Sequence, residues 1–157
     1  MPELRILWQR LVDDAGNTCE RCGNTRLELE HALQKLKQAL PPLGVEPILE
    51  EKSLDAPTFV SDPCASNRIW INGRALEEWI GGEVGMSRCC TTVCEGAECR
   101  TVTVASDVFE VIPEGLIIKA ALLAASELVS VASCSCRDSA DDHASHRSDR
   151  RAATQCE

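Results

Sequence analysis

The sequence contains no tyrosine, only two phenylalanines and three tryptophans, and only three histidines. Basic residues are also scarce, since 16 Lys and Arg stand against 25 Asp and Glu and leave a formal net charge of −9. Nucleic-acid binding depends on cationic contacts to phosphates and on aromatic side chains that stack on bases. This composition supplies little of either, so we expect no nucleic-acid partner.

Long apolar runs are absent as well, and none approaches the roughly 20 residues of a membrane-spanning helix. Residues 1–5 lack the basic and apolar regions of a signal peptide. We therefore expect a cytoplasmic protein with no membrane partner. Thiols stay reduced in that compartment. The ten cysteines of the chain then favour metal binding or redox chemistry over a structural disulfide framework.

Periodicity and turn residues predict one α/β domain over residues 1–132, with a mixed β-sheet flanked by helices. Strands are predicted at 4–11, 45–52 and 68–71, and a hairpin at 101–104 and 108–112. Pro47 indicates that the second strand either lies at a sheet edge or starts late. Helices are predicted for the stretch carrying Leu29, Leu33, Leu36 and Leu40, and at 74–80 and 115–131. Residues 85–99 carry four cysteines without periodicity and are interpreted as an irregular loop. The tail 133–157 is rich in Ser, Asp, Ala and Arg, and we expect it to be disordered.

A Cys-x-x-Cys pair, Cys19 and Cys22, lies between the first strand and the first helix. A thiol in the first helical turn is stabilised as a thiolate by the helix dipole and by free N–H groups. Arg21 would add to this effect and Glu20 would oppose it. Cys19 would then be the attacking thiolate and Cys22 the resolving thiol of a disulfide exchange.

The start of that helix has two candidate positions. Thr18 is a suitable N-cap for a helix that includes the cysteines. Residues 25–28, Thr-Arg-Leu-Glu, form a capping box that would begin the helix later and leave the pair in a loop like a metal knuckle. We favour the earlier start.

Several separated motifs carry a family resemblance over about residues 3–130. They are a first strand, the Thr-Cys-x-x-Cys segment, an amphipathic helix, and residues 66–73, Ser-Asn-Arg-Ile-Trp-Ile-Asn-Gly. This pattern resembles the thioredoxin/glutaredoxin superfamily, and more closely a prokaryotic thioredoxin-like family of no assigned function that also carries a later cysteine-rich loop. The resemblance implies a thioredoxin-like fold and exchange with a protein or small-molecule disulfide or thiol, without a cofactor. Ser66 and Asn67 would line the substrate groove.

One position departs from the superfamily pattern. Superfamily members place a cis-proline before the third strand, and Asn67 stands there in this sequence. That proline shapes the substrate groove and helps to keep metals off the Cys-x-x-Cys pair. Its replacement therefore makes metal capture a stronger alternative to disulfide exchange. Pro63, four residues earlier, is a candidate for a cis peptide bond.

The second cysteine cluster is Cys89-Cys90-x₃-Cys94-x₄-Cys99. Thiolates at this density suit zinc, copper(I), mercury, arsenite or an iron–sulfur centre, although the spacing matches neither zinc ribbons nor ferredoxins. One alternative function is therefore a soft-metal or metalloid carrier using Cys19, Cys22, Cys64, Cys89, Cys90, Cys94 and Cys99. A second alternative is a redox relay, in which Cys89 or Cys90 passes a disulfide to Cys19. A third is purely structural, with some of these thiols acting as small buried hydrophobes. A looser tail set comprises Cys134, Cys136, His143, His146 and Cys156, for which an incidental occurrence is the favoured interpretation.

Overall fold

The computed structural model describes residues 1–90 and 92–133. They form a mixed α/β structure whose strands lie in two sheets. In chain order the elements are β1 Glu3–Leu11, α1 Glu20–Ala39, β2 Glu46–Leu54, α2 Ala56–Ser61, β3 Arg68–Ile71, β4 Arg74–Ala75, α3 Leu76–Ile80, β5 Glu83–Arg88, β6 Glu98–Val104, β7 Asp107–Phe109 and α4 Glu114–Ser133. The predictions for the tail, including its candidate metal ligands, lie outside the described residues.

The first sheet has the strand order β2-β1-β3-β4. β1 pairs with β2 in parallel and with β3 in antiparallel orientation. Alternate residues of β1 enter the core, and Leu4, Ile6 and Trp8 are fully buried. Strand β2 occupies an edge, which is the first of the two alternatives that Pro47 indicated.

Helix α1 begins at Glu20, so the earlier of the two predicted starts is confirmed. The prediction of Thr18 as N-cap was wrong, because Cys19 takes that position and its sulfur accepts a hydrogen bond from the backbone N–H of Cys22. Thr18 instead donates its hydroxyl to the carbonyl oxygen of Leu11. Both cysteines therefore lie in the first turn of an amphipathic helix.

The prediction of an irregular loop at 85–99 was wrong at both ends. β5 and β6 pair in antiparallel register from Glu83↔Thr103 to Arg88↔Glu98, and only the stretch between them is irregular. Gly85 permits this pairing, because a Cβ there would lie 2.9 Å from the hydroxyl oxygen of Thr101. With β7 these strands form a second sheet, so the expected single mixed sheet is replaced by two.

The long helix α4 closes the core on the side of α1. Ile117, Ala120, Ala121 and Ala124 are buried, and α4 contacts α1. The three alanines have small side chains, which allow the two helices to approach closely. The helix begins one residue before the predicted start and ends two residues after the predicted end. Among the described helices, none is both long and apolar enough to cross a membrane.

Candidate functional site

Four cysteine side chains converge at one place in the structure. The sulfur atoms of Cys19, Cys89, Cys90 and Cys94 all lie within 4.8 Å of one another. Cys19 and Cys94 are buried, and Cys89 and Cys90 are half-buried. In a tetrahedral zinc–thiolate site, bonds of about 2.3 Å place the sulfurs roughly 3.8 Å apart. Small side-chain rotations would therefore bring these four thiols to a single ion.

The four thiols come from two distant segments. Cys19 caps α1, and the other three lie between β5 and β6, within the described residues 89–90 and 92–97, which we call the cysteine loop. The loop folds back on itself, since the N–H of Cys89 donates to the carbonyl of Ala97 at 2.9 Å and that of Gly96 to the carbonyl of Cys90 at 3.0 Å. Glu95 and Gly96 both adopt left-handed conformations, which allow this reversal.

Three further predicted thiols surround the four without joining them. The sulfur atoms of Cys99 and Cys94 lie 3.5 Å apart, within hydrogen-bonding distance. Cys22 lies one turn into α1, with its sulfur 3.7 Å from the hydroxyl oxygen of Ser66. Cys64 is half-buried in a 3₁₀ turn, Pro63–Ala65, and its carbonyl oxygen accepts from Arg100 at 3.1 Å. All seven described cysteines are free.

The two thiols of the Cys-x-x-Cys pair differ strongly in acidity. A hydrogen bond from the Cys22 thiol, followed by one from Cys94, holds the pKa of Cys19 well below its ordinary value. The same Cys19–Cys22 bond and the burial of Cys22 raise the pKa of Cys22. Cys19 is therefore the more acidic thiol of the pair and Cys22 the less acidic one.

The cysteine loop shows a similar division. Burial raises the pKa of Cys89 to about 12, and hydrogen bonds to Cys19 and Cys99 raise the pKa of Cys94. The bond from Cys94 lowers the pKa of Cys99 to about 7. In the metal-free centre the pKa is thus lowered at Cys19 and Cys99 and raised at Cys89 and Cys94. Because metal ligation requires thiolates, an ion that binds the four-thiol group would release protons from Cys89 and Cys94.

Arg21, between the two cysteines of the pair, reaches across to the base of the cysteine loop. Its Nη2 donates to the carbonyl of Arg88 at 2.7 Å and to the hydroxyl of Ser87 at 3.0 Å, and its Nη1 donates to the carbonyl of Cys99 at 3.4 Å. Glu110 pairs with the same guanidinium at 3.1 Å. The sequence suggested only that Arg21 favours the Cys19 thiolate, and these contacts add a role in holding the loop.

Ser66 and Asn67 lie beside the Cys-x-x-Cys pair but face the interior. Ser66 accepts a hydrogen bond from the backbone of Leu11 at 3.0 Å, and Asn67 accepts one from the indole of Trp8 at 3.2 Å. Both side chains are buried, so neither one lines an open groove in this structure. No described peptide bond is cis, that of Pro63 included.

Two features near the site escaped the sequence analysis. Arg100 and Glu77 form a buried ion pair behind the second sheet, and each was indistinguishable in sequence from a surface charge. An apolar cavity of about 380 Å³, lined in part by Phe59, Val60 and Cys94, borders the cysteine loop. Open space therefore reaches the segment that carries three of the four thiols.

Comparison with known proteins identifies a family model and a relative that match this chain. The family model described as Domain of unknown function (DUF2703) matches residues 4–121, a range that includes Cys19 and the whole cysteine loop. An uncharacterized protein of Archaeoglobus fulgidus is 44% identical over 115 residues, which are 73% of this chain and 82% of that protein. No solved structure matches.

Proposed function

The chain belongs to the family described as Domain of unknown function (DUF2703), and we propose that it binds a soft or borderline metal ion, or a metalloid, through Cys19, Cys89, Cys90 and Cys94. The observation that carries this proposal is the convergence of four sulfur atoms within 4.8 Å from two segments distant in sequence. Thiolate ligands select zinc, copper(I) and similar ions over magnesium and calcium, which prefer oxygen.

Burial supports binding over exchange with a folded protein substrate. Only 3% of the Cys19 surface is exposed, and the thiol of Cys89 lies 3.6 Å from its sulfur. A thiolate that attacks a protein disulfide has to reach the substrate sulfur, whereas a small ion needs far less room. A carrier or detoxification role in the cytoplasm, where the thiols remain reduced, is consistent with such a site.

A redox function is the second candidate, and the acidity of the pair favours it. Cys19 has a lowered pKa and Cys22 a raised one, as an attacking and a resolving thiol require. A thioredoxin-like fold is supported by the order of elements, which is β1, the Cys-x-x-Cys pair, α1 and a parallel β2. Strand β3, which leads into Asn72-Gly73, also fits that fold. In this reaction the Cys19 thiolate would attack a disulfide and release one thiol. Cys22 would then attack the mixed disulfide and release the second thiol, which leaves the pair as a disulfide.

The first experiment measures metal content and free thiols after anaerobic purification. Wild type should carry one stoichiometric ion, Cys19→Ala should lose it, and Cys64→Ala should keep it because Cys64 lies outside the four-thiol group. Retention of the ion by Cys19→Ala, or no uptake of any thiophilic ion by wild type, would contradict the proposal.

The Cys22→Ser variant separates the two candidate functions. If the four-thiol group binds the ion, this variant keeps stoichiometric metal, because Cys22 is not among the ligands. If the protein exchanges disulfides, the variant instead accumulates mixed disulfides with substrate, since the resolving thiol is missing. If metal-free protein reversibly loses two free thiols on mild oxidation, redox chemistry would be the primary function.

A further inference from the structure

We propose that Arg21 is the positioning residue of the four-thiol centre, holding the cysteine loop in register with the Cys19 thiolate. This inference rests on the proposed metal-binding function and names the side chain that assembles the site. Three of the four ligands lie on the loop, so their distance from Cys19 depends on whatever fixes the loop against the first turn of α1.

The contacts of Arg21 join that helical turn to both ends of the loop. Arg21 is two residues after Cys19, and it donates to the carbonyl of Arg88 at the end of β5 and to that of Cys99 in β6. A third bond reaches the hydroxyl of Ser87. Because one planar guanidinium spans both strands, displacement of either strand from α1 breaks at least one of these bonds.

The Arg21 side chain is itself held in place. It is only 8% exposed, and the carboxylate of Glu110 accepts from the hydroxyl of Ser87 at 2.6 Å while it pairs with the guanidinium. The carbonyl of Glu110 in turn accepts from the buried amide of Asn67 at 3.2 Å. These contacts fix the orientation of the guanidinium before any ion binds, and such preorganisation of the atoms around the ligands raises metal affinity.

The charge of Arg21 acts in the same direction. Four thiolates around a divalent cation leave a net negative charge in a partly buried site, which costs free energy unless a cation is nearby. Arg21 and the N-terminus of α1 supply positive charge there, although Glu110 offsets part of it. Positioning and charge therefore have to be separated by experiment.

The test is a competition titration of the reduced full-length chain with Co²⁺ and Zn²⁺, combined with the intensity of the sulfur-to-cobalt absorption band. Arg21→Met should weaken Zn²⁺ binding by about 10- to 100-fold, the usual effect of removing a residue that orients metal ligands. The band should also lose intensity per bound ion, because fewer thiolates reach the metal. Arg21→Lys keeps the charge but not the fork, and its band should be similarly weak.

Two variants serve as matched controls. Arg26→Met removes an arginine from the next turn of α1 that is half-exposed and pairs with Glu30 and Glu51, and its affinity and spectrum should remain those of wild type. Glu110→Gln removes the ion pair but leaves acceptors for Arg21, and its loss of affinity should be less than that of Arg21→Met.

The possible outcomes are distinct. If wild type binds neither Co²⁺ nor Zn²⁺, the titration is repeated with Cu⁺ and with arsenite. Binding of neither contradicts the proposed function and this inference with it, whereas binding of either leaves Arg21 to be judged by the affinity for that species. If wild type binds and both Arg21 variants show its affinity and band intensity, the inference alone is overturned. Circular dichroism of the metal-free proteins checks folding. If Arg21→Met does not fold, the affinity and the band intensity of Arg21→Lys decide the question. A sulfur-to-cobalt band of wild-type intensity in Arg21→Lys would show that Arg21 supplies charge and not position.

Discussion

Replacement of Asn67 tests how the segment beside the Cys-x-x-Cys pair is held. Asn67 is 1% exposed and has a φ of 57°, in the left-handed region that residues other than glycine seldom adopt. Its side chain accepts from the indole N–H of Trp8 and donates to the carbonyl of Glu110, both at 3.2 Å. The Asn67→Ala change removes both bonds and keeps the unfavourable backbone.

The expected loss follows from these contacts. Each buried polar group left without a partner costs about 1–3 kcal/mol, and the left-handed conformation costs alanine roughly 1–2 kcal/mol. Because the carbonyl of Glu110 is only partly buried, we take the lower part of that range and expect Asn67→Ala to lower the free energy of unfolding by about 3–5 kcal/mol. Asn67→Gly should lose about 1–2 kcal/mol less, since glycine adopts the same φ without strain.

Asn72 provides the matched control. It also has a positive φ, 50°, but it is exposed and its side chain makes one hydrogen bond, from the backbone of Arg5. Urea unfolding of the reduced, metal-free protein, followed by tryptophan fluorescence, gives the free energies. The alanine-to-glycine difference should be the same at both positions, and the total loss should be larger at Asn67. A loss in Asn67→Ala no greater than in Asn72→Ala would refute this reasoning.

The same geometry bears on the departure from the thioredoxin pattern. Proline holds φ near −65°, so it cannot occupy position 67 with the backbone at +57°. Asn67→Pro would therefore have to move the entry to β3, and it should destabilise the protein more than Asn67→Ala in the same urea titration.

Two further predictions concern buried ionisable groups. The pKa of Cys19 is lowered in the folded state, so its contribution to stability is complete above the unfolded thiol pKa of about 8.5 and is lost as the pH falls. The free energy of unfolding of the metal-free protein should therefore decline more steeply from about pH 8.5 towards neutrality in wild type than in Cys19→Ser. Equal slopes in the two proteins would contradict the lowered pKa of Cys19. Arg100→Met leaves the carboxylate of Glu77 buried without its partner and should lower the free energy of unfolding, measured in urea, by about 3–5 kcal/mol. The double variant Arg100→Met/Glu77→Met should recover part of this loss. A double variant no more stable than the single one would show that the pair does not act as a unit.

Local patterns were sufficient for most individual elements. The apolar run of β1, the leucine spacing in α1, the Asn72-Gly73 turn and the alanine-rich α4 depend on residues close together in the chain, and each was predicted from them. The position of Cys19 and Cys22 in the first turn of α1 was also predicted, although the N-cap was assigned to Thr18 and is Cys19 in the structure.

Strand β5 shows why the second sheet was missed. Val84 and Met86 alternate with Gly85 and Ser87, but the apolar pair is more than 40% exposed and the two small residues are half-buried. The pattern is therefore the reverse of an ordinary half-buried strand. What stabilises β5 is its pairing with β6, and the close approach at Gly85 is visible only once the two strands are side by side.

The sequence by itself determined that this protein has two dense groups of thiols and that one of them lies at the start of a helix. Tertiary structure alone decided which thiols meet: Cys19, Cys89, Cys90 and Cys94 converge, Cys22 and Cys99 lie against them, and Cys64 is outside the group. It also decided that Cys19 is buried. Sulfur–sulfur distance and exposure depend on packing between segments such as Cys19 and Cys89, which are 70 residues apart, and no local pattern encodes that packing.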